Sequence, residues 1–171
     1  EVAVSLGTGA SGESLAGFSG GGRQTTTRLV EGQFPPYRKL LPDSSPLAAE
    51  VEIAPLAEAV KRVALVAARM APVQLSFAGD LLTLDAGTGG EAQASESLPV
   101  SYDGPELSVA FNPQYLLDGI GALESDTVRI GFFSATDPAE SARKPAELTG
   151  KASDEGRADY RYMLMPVRVS G

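Results

Sequence analysis

Leu107-Ser108-Val109-Ala110-Phe111-Asn112-Pro113-Gln114-Tyr115-Leu116-Leu117-Asp118 holds a strand, a cap and a helix start in one run. Asn112 suits an N-cap, because its side-chain oxygen can accept from an orphan N–H of the first turn. Pro113 suits the first helical position, where no N–H is needed. The pattern predicts a strand at Leu107–Phe111 and a helix to about Leu123. The same grammar stands earlier. Val51–Ile53 reads as a short strand, Pro55 as a first helical residue, and Leu56 to Met70 has helical period. Strands are expected at Val73–Phe77, Leu81–Asp85 and Glu91–Val100 after the first helix. They are expected at Thr127–Phe133, Ala146–Thr149 and Tyr160–Val169 after the second. Strand, helix and strands thus occur twice, with Pro55 and Pro113 in equivalent places. The fold class is α+β: residues 46–171 form one domain of two β-α-β-β-β halves, with helices on one face of antiparallel sheets.

Upstream the grammar differs. Val2–Leu6, Ser14–Phe18 and Gln24–Leu29 read as strands separated by glycine turns, with no helix between them. Such a trio cannot bury both faces, so residues 1–30 are expected to be the last strands of a domain that starts earlier. Residues 31–45 read as a connector. Phe34-Pro35-Pro36-Tyr37 and Leu41-Pro42-Asp43-Ser44-Ser45-Pro46 are too proline-rich for a helix or a central strand. Their aromatic and leucine content suggests that the connector packs down.

Composition narrows the chemistry. The 171 residues are 43% hydrophobic and 21% charged, enough for a packed core. Lysine and arginine number 14 against 22 acids, a net charge of −8, which disfavours general nucleic-acid binding unless the bases are gathered on one face. With no cysteine and no histidine, disulfides, thiolate nucleophiles, histidine triads and Cys- or His-ligated metals are excluded. No apolar run approaches a membrane span and no signal-peptide pattern opens the chain. The expectation is a soluble cytoplasmic protein that binds other molecules.

Several motifs imitate catalytic ones. Gly7-Thr8-Gly9-Ala10-Ser11-Gly12-Glu13-Ser14 approaches a phosphate loop, but Glu13 stands where lysine should hold the phosphates; a hairpin turn is the better reading. Gly17-Phe18-Ser19-Gly20-Gly21 matches a nucleophile elbow, yet Ser19 has no histidine and no following helix. Ser141-Ala142-Arg143-Lys144 allows a Ser–Lys hydrolase pair, against a solvated loop over residues 136–140. Acidic pairs such as Asp80/Asp85 and Asp154/Glu155 have no more claim to chemistry than any acidic turn. The reading is that the chain is not an enzyme and needs no metal or cofactor.

The first helix places Leu56, Val60, Val63, Ala67 and Met70 on one face. Glu58, Lys61, Arg62 and Arg69 lie opposite, with Leu65 among them. A lone exposed leucine is ordinary; on a basic stripe it is also a candidate subunit contact. Between Arg69 and Arg129 there is no base, and there are nine acids: Asp80, Asp85, Glu91, Glu96, Asp103, Glu106, Asp118, Glu124 and Asp126. Such a split is either plain solvation or an acidic exterior that reserves its bases for a polyanion. The last apolar run, Tyr160-Arg161-Tyr162-Met163-Leu164-Met165-Pro166-Val167-Arg168-Val169, is either core or an adaptable methionine surface for peptides.

Phe34-Pro35-Pro36-Tyr37-Arg38-Lys39-Leu40-Leu41-Pro42, Phe111-Asn112-Pro113-Gln114-Tyr115-Leu116-Leu117-Asp118 and Tyr162-Met163-Leu164-Met165-Pro166-Val167-Arg168 occur in that order. Together, on a twice-repeated domain, they resemble the bacterial DNA polymerase III β subunit family, the sliding clamps, in an actinobacterial form. The resemblance covers essentially the whole chain. It makes residues 1–30 the end of a middle clamp domain and 46–171 the third, C-terminal clamp domain.

The resemblance implies a homodimeric ring of six similar domains that catalyses nothing. Helices line the hole, encircle duplex DNA without reading its sequence, and tether polymerases as a processivity factor. Arg62 and Arg69 would face DNA, and Lys61, Leu65 and Glu96 would meet the partner subunit. DNA polymerase subunits, the clamp loader and repair proteins would dock short peptides in a cleft. Its residues, carried over by position, are Pro35, Lys39, Leu40, Met70, Asn112, Tyr115, Met163, Leu164, Met165, Pro166, Val167 and Arg168. Lys39 stands where arginine is common in the family. The alternative is a stand-alone peptide-binding or regulatory module derived from a clamp.

Overall fold

The computed structural model describes residues 1–34, 36–39 (the side chain of Lys39 excepted), 41, 44–66, 71–87, 92–150 and 160–168. The chain separates into two compact units, Glu1–Pro36 and Tyr37–Gly171. The division falls inside the stretch read as a connector.

The first unit is an antiparallel meander of β1 (Ala3–Thr8), β2 (Ser14–Gly20) and β3 (Arg23–Arg28). Gly21 and Gly22 both have positive φ, which suits the tight turn joining β2 to β3. The phosphate-loop lookalike is the β1–β2 turn, closed by the Gly9 N–H on the Glu13 carbonyl. Ser19 lies inside β2, so the GxSxG run is not an elbow. Ala16 is the one described residue of this unit that is buried, and Val2, Val4 and Leu6 are exposed. The meander holds no core of its own.

The second unit opens with a 3-10 turn at Tyr37–Lys39. Then come β4 (Leu47–Glu52), α1 (Ile53–Ala64), β5 (Val73–Ala78), β6 (Leu81–Ala86), β7 (Ala94–Pro99) and β8 (Ser101–Tyr102). The second half has β9 (Leu107–Phe111), α2 (Pro113–Gly121), β10 (Thr127–Phe132), α3 (Pro138–Ser141), β11 (Ala146–Gly150) and β12 (Arg161–Leu164). The two sheets run β12-β11-β10-β4-β8 and β7-β6-β5-β9. Each half therefore sends its first strand into the other half's sheet: β4 pairs with β10, and β9 with β5.

Register makes the halves equivalent residue by residue. Val51 pairs with Val128 as Phe111 pairs with Val73. Leu75 faces Leu84 as Ile130 faces Leu148. Leu84 faces Glu96 as Leu148 faces Tyr162. The counterparts Phe77 and Phe132 meet edge to face, with ring centroids 5.4 Å apart. Around them Leu56, Val60, Leu116 and Ile120 bring both helices into one core cluster. Period-two burial in the strands puts Val73, Leu75 and Phe77 inside, and helical spacing does the same for Leu56, Val60 and Val63.

Several expectations shift in detail. α1 begins at Ile53, so Pro55 is its third residue, while Pro113 is the first of α2. Both sit where no intrahelical N–H is required. Glu52 caps α1 without a side-chain bond; the Ile53 N–H instead donates to the Asp126 carbonyl at 2.8 Å. α1 ends at Ala64, with a turn through Leu65–Val66; Ala67, Arg69 and Met70 lie outside the described residues. β12 ends at Leu164, because Pro166 has no N–H to continue a ladder. The loop expected at 136–140 forms a short helical turn. There the Ser141 Oγ accepts from the Ser134 N–H and donates to the Ser134 carbonyl. Lys144 lies against Glu140 and over the Phe133 ring. Ser141 is a buried loop clasp, and the Ser–Lys hydrolase reading falls.

One glycine decides how α2 seats. A Cβ at Gly119 would stand 2.8 Å from Tyr162 Cδ1 and 2.9 Å from Leu148 Cδ1. Its counterpart on α1 is Ala59, which is buried as well. Gly119→Val should destabilise the domain by about 1–3 kcal/mol through overpacking, read by urea unfolding. An unchanged midpoint would show that α2 has room to spare.

Candidate functional site

The Asn112 side chain accepts from the Gln114 N–H at 2.9 Å and the Tyr115 N–H at 3.2 Å. The cap therefore fixes the first turn of α2. Because Leu116, Gly119 and Ile120 face the core, Tyr115 and Asp118 face outward. Tyr115 is 57% exposed. Gln114 Nε2 donates to Asp118 Oδ1 at 2.8 Å, tying the outer face of the helix.

The C-terminal segment arrives beside this turn. After Leu164 the chain leaves one sheet and crosses to the edge of the other, where the Val167 N–H donates to the Ala110 carbonyl at 2.8 Å. Ala110 is two residues before Asn112, so this bond brings Met165, Pro166 and Val167 to the start of α2. Met165 is 62% and Val167 40% exposed. Tyr162, stacked on Tyr160 at 6.4 Å, lies beneath. Burial first, then the Asp118 charge and the neighbouring Tyr160 and Tyr115, push its phenol above the usual tyrosine range. Aromatic and thioether side chains thus gather at this end of the domain, with the Asp118 carboxylate near Tyr162.

Of the expected cleft residues, Asn112, Tyr115, Met165, Pro166 and Val167 come together here, with exposed Arg168 following. Leu164 is 2% exposed, a core residue under the surface rather than part of it. Met163 lies on the opposite face of β12 from Leu164, paired with Glu147 of β11. There Glu147 accepts from Arg161 and from the Ser45 hydroxyl, which fixes the end of the connector. Pro35, Leu40 and Met70, and the side chain of Lys39, lie outside the described residues. Tyr160, Tyr162 and Asp118 were not singled out from the sequence. The signal for the tyrosines was the alternation Tyr160-Arg161-Tyr162 beside the methionines.

The α1 surface carries ion pairs. Arg62 makes a bidentate pair with Glu96, Nε to Oε1 at 2.7 Å and Nη2 to Oε2 at 2.8 Å. The base expected to face DNA and the acid expected to meet a partner thus neutralise each other. Lys61 pairs with Glu58 at 2.8 Å. Leu65 is 84% exposed. Among the described residues, no group of acids could hold a metal ion, and no helix is long and apolar enough to cross a membrane.

Residues 38–166 match the family model of the DNA polymerase III beta subunit, C-terminal domain. The chain belongs to the DNA polymerase III beta subunit family. The beta sliding clamp of Streptomyces coelicolor is 45% identical over 173 residues, covering all of this chain and 44% of that protein. The beta sliding clamp homolog GriR of Streptomyces muensis is 38% identical, covering 91% of this chain and 40% of that protein. Among solved structures, a Caulobacter crescentus beta sliding clamp superimposes with a TM-score of 0.75 at 27% identity, over 92% of this chain and 39% of that one. A Bartonella birtlesii clamp bound to griselimycin gives 0.75 at 29% identity, over 91% and 39%. The chain spans less than half the length of these beta-subunit relatives.

The Arg62–Glu96 pair carries a pH signature. The Arg62 hydrogen bonds hold the Glu96 carboxyl below its ordinary 4.5. A depressed folded value contributes stability that is present above the unfolded pKa and is lost as pH falls through the folded one. Glu96→Gln should therefore lose less stability than the parent between about pH 7 and pH 3, measured by denaturant unfolding across that range. Parallel losses in the two proteins would show the pair to be energetically silent.

Proposed function

We propose that this chain is the third domain of a sliding clamp, with the last strands of the middle domain before it. In this reading, two full-length subunits close a ring around duplex DNA in the cytoplasm and hold polymerases on it. The role is non-catalytic: the clamp acts by topology and by docking. What supports the proposal is the Val167–Ala110 bond, which ties the segment carrying exposed Met165 and Val167 to the strand that leads into α2, where Tyr115 is exposed as well. Large exposed apolar side chains gathered from distant parts of a sequence are characteristic of a docking surface. A short apolar peptide from a polymerase, clamp loader or repair protein would place a leucine or phenylalanine there. In the same reading Lys61 and Leu65 lie at the contact with a partner subunit. The family resemblance adds Pro35, Lys39, Leu40 and Met70 to the docking residues; Pro35, Leu40, Met70 and the side chain of Lys39 lie outside the described residues.

Titrating a labelled peptide from the C-terminal tail of the replicative polymerase tests this. Tyr115→Ala and Met165→Ala should each weaken binding by about 1–3 kcal/mol, as central anchors do. Both substitutions lie on the surface, so thermal stability should hold. Unchanged affinity in both variants would reduce the C-terminal segment to a packing role.

A further inference from the structure

A groove of about 410 Å³ opens in the first half of the domain, with Pro55, Leu98 and Pro99 among its lining residues. Glu50, Glu52 and Asp80 also line it, and among the described residues no lysine or arginine does. Register makes it the counterpart of the surface around Tyr115. Glu52 and Asn112 are the N-caps of α1 and α2, and Pro55 and Tyr115 are the third residues of those helices. Leu98 of β7 pairs with Leu82 as Leu164 of β12 pairs with Ala146. Pro99 and Met165 follow them, both exposed. Ser101 then pairs with Glu50 of β4, as Val167 bonds to Ala110 of β9.

The scaffold is repeated, but the chemistry is reversed in character. Ala110 and Asn112 are neutral; Glu50 and Glu52 in their places are acidic. Alternate residues of a strand share a face and stand about 6–7 Å apart, which is also the repeat of alternate residues in an extended peptide. Arg129, opposite Glu50 on β10, is turned to the Ser45 carbonyl and does not line the groove. We propose that this groove is a second peptide-docking site. Its occupant is an extended segment in which arginine or lysine alternates with an apolar residue. The cations meet Glu50, Glu52 and Asp80, and the apolar side chain lies on Leu98 and Pro99. The extended form of the occupant rests on the docking role proposed for the Tyr115 surface; its charge rests on the groove's own lining.

The probe is a fluorescent pentapeptide alternating arginine and leucine, titrated against the whole chain at physiological ionic strength. Saturable binding is expected. Glu52→Gln with Asp80→Asn should weaken it about tenfold, as loss of rim charge does; Glu52 makes no side-chain cap bond, so α1 should keep its start. Tyr115→Ala should leave this peptide's affinity unchanged. A peptide alternating arginine with glycine should bind at least several-fold more weakly. Equal binding of the two peptides would reduce the effect to diffuse attraction by an acidic protein and overturn the proposal. Loss with Tyr115→Ala but not with the acid variants would assign the peptide to the first surface and overturn it too. Failure of the first surface reads out separately, as insensitivity of the polymerase peptide to Met165→Ala.

Discussion

Two exchanged strands hold this domain together. β4 completes the sheet of the second half and β9 completes that of the first, so neither half can bury its apolar face alone. Val51 needs Val128, and Phe111 needs Val73. The edge-to-face contact of Phe77 with Phe132 marks the place where the halves meet. Burying such rings contributes through apolar area and through aromatic geometry, and here one contact serves both halves. The strand pairings also fix both helix starts, since α1 and α2 follow directly from the exchanged strands.

Function then depends on what the duplicated scaffold displays. Equivalent positions carry Tyr115 and Pro55, Met165 and Pro99, Asn112 and Glu52. Within the core the counterparts keep their size class, as Leu56 does with Leu116 and Val60 with Ile120. The surface counterparts are free to differ, because Pro55, Pro99, Tyr115 and Met165 are exposed. The exception is Gly119, whose small size answers Tyr162 where α1 has Ala59. Surface divergence on a conserved frame is how a repeated fold comes to hold two unlike surfaces.

The fold was largely legible in the sequence because period-two and helical patterns lay beside strong local punctuation. Asn112-Pro113 fixed one helix start, and the glycine turns set the first meander. Pro55 misled by two residues, since a proline is tolerated throughout the first helical turn and does not mark which position it holds. The exchange of strands was not legible, because hydrophobic pattern does not name a strand's neighbour. At the candidate site, resemblance and apolar patterning pointed to Tyr115 and Met165, and both are exposed. Neither separates Leu164 in the core from Met165 on the surface, which differ only in where Pro166 ends the strand. The Arg62–Glu96 pair was hidden for a similar reason: a charge pattern gives sign but not the partner. Asp118 and Tyr162 emerge only when α2 and β12 are set side by side.

The central claim is that the start of α2 and the segment after β12 form one docking surface. Hydrogen exchange of the protein with and without a saturating polymerase-tail peptide tests it most directly. Slowed exchange is expected at Gln114–Leu116 and at Val167, where the backbone is tied to Asn112 and Ala110, and at neighbouring Met165. Protection confined to other elements, with both of these stretches unchanged, would contradict it.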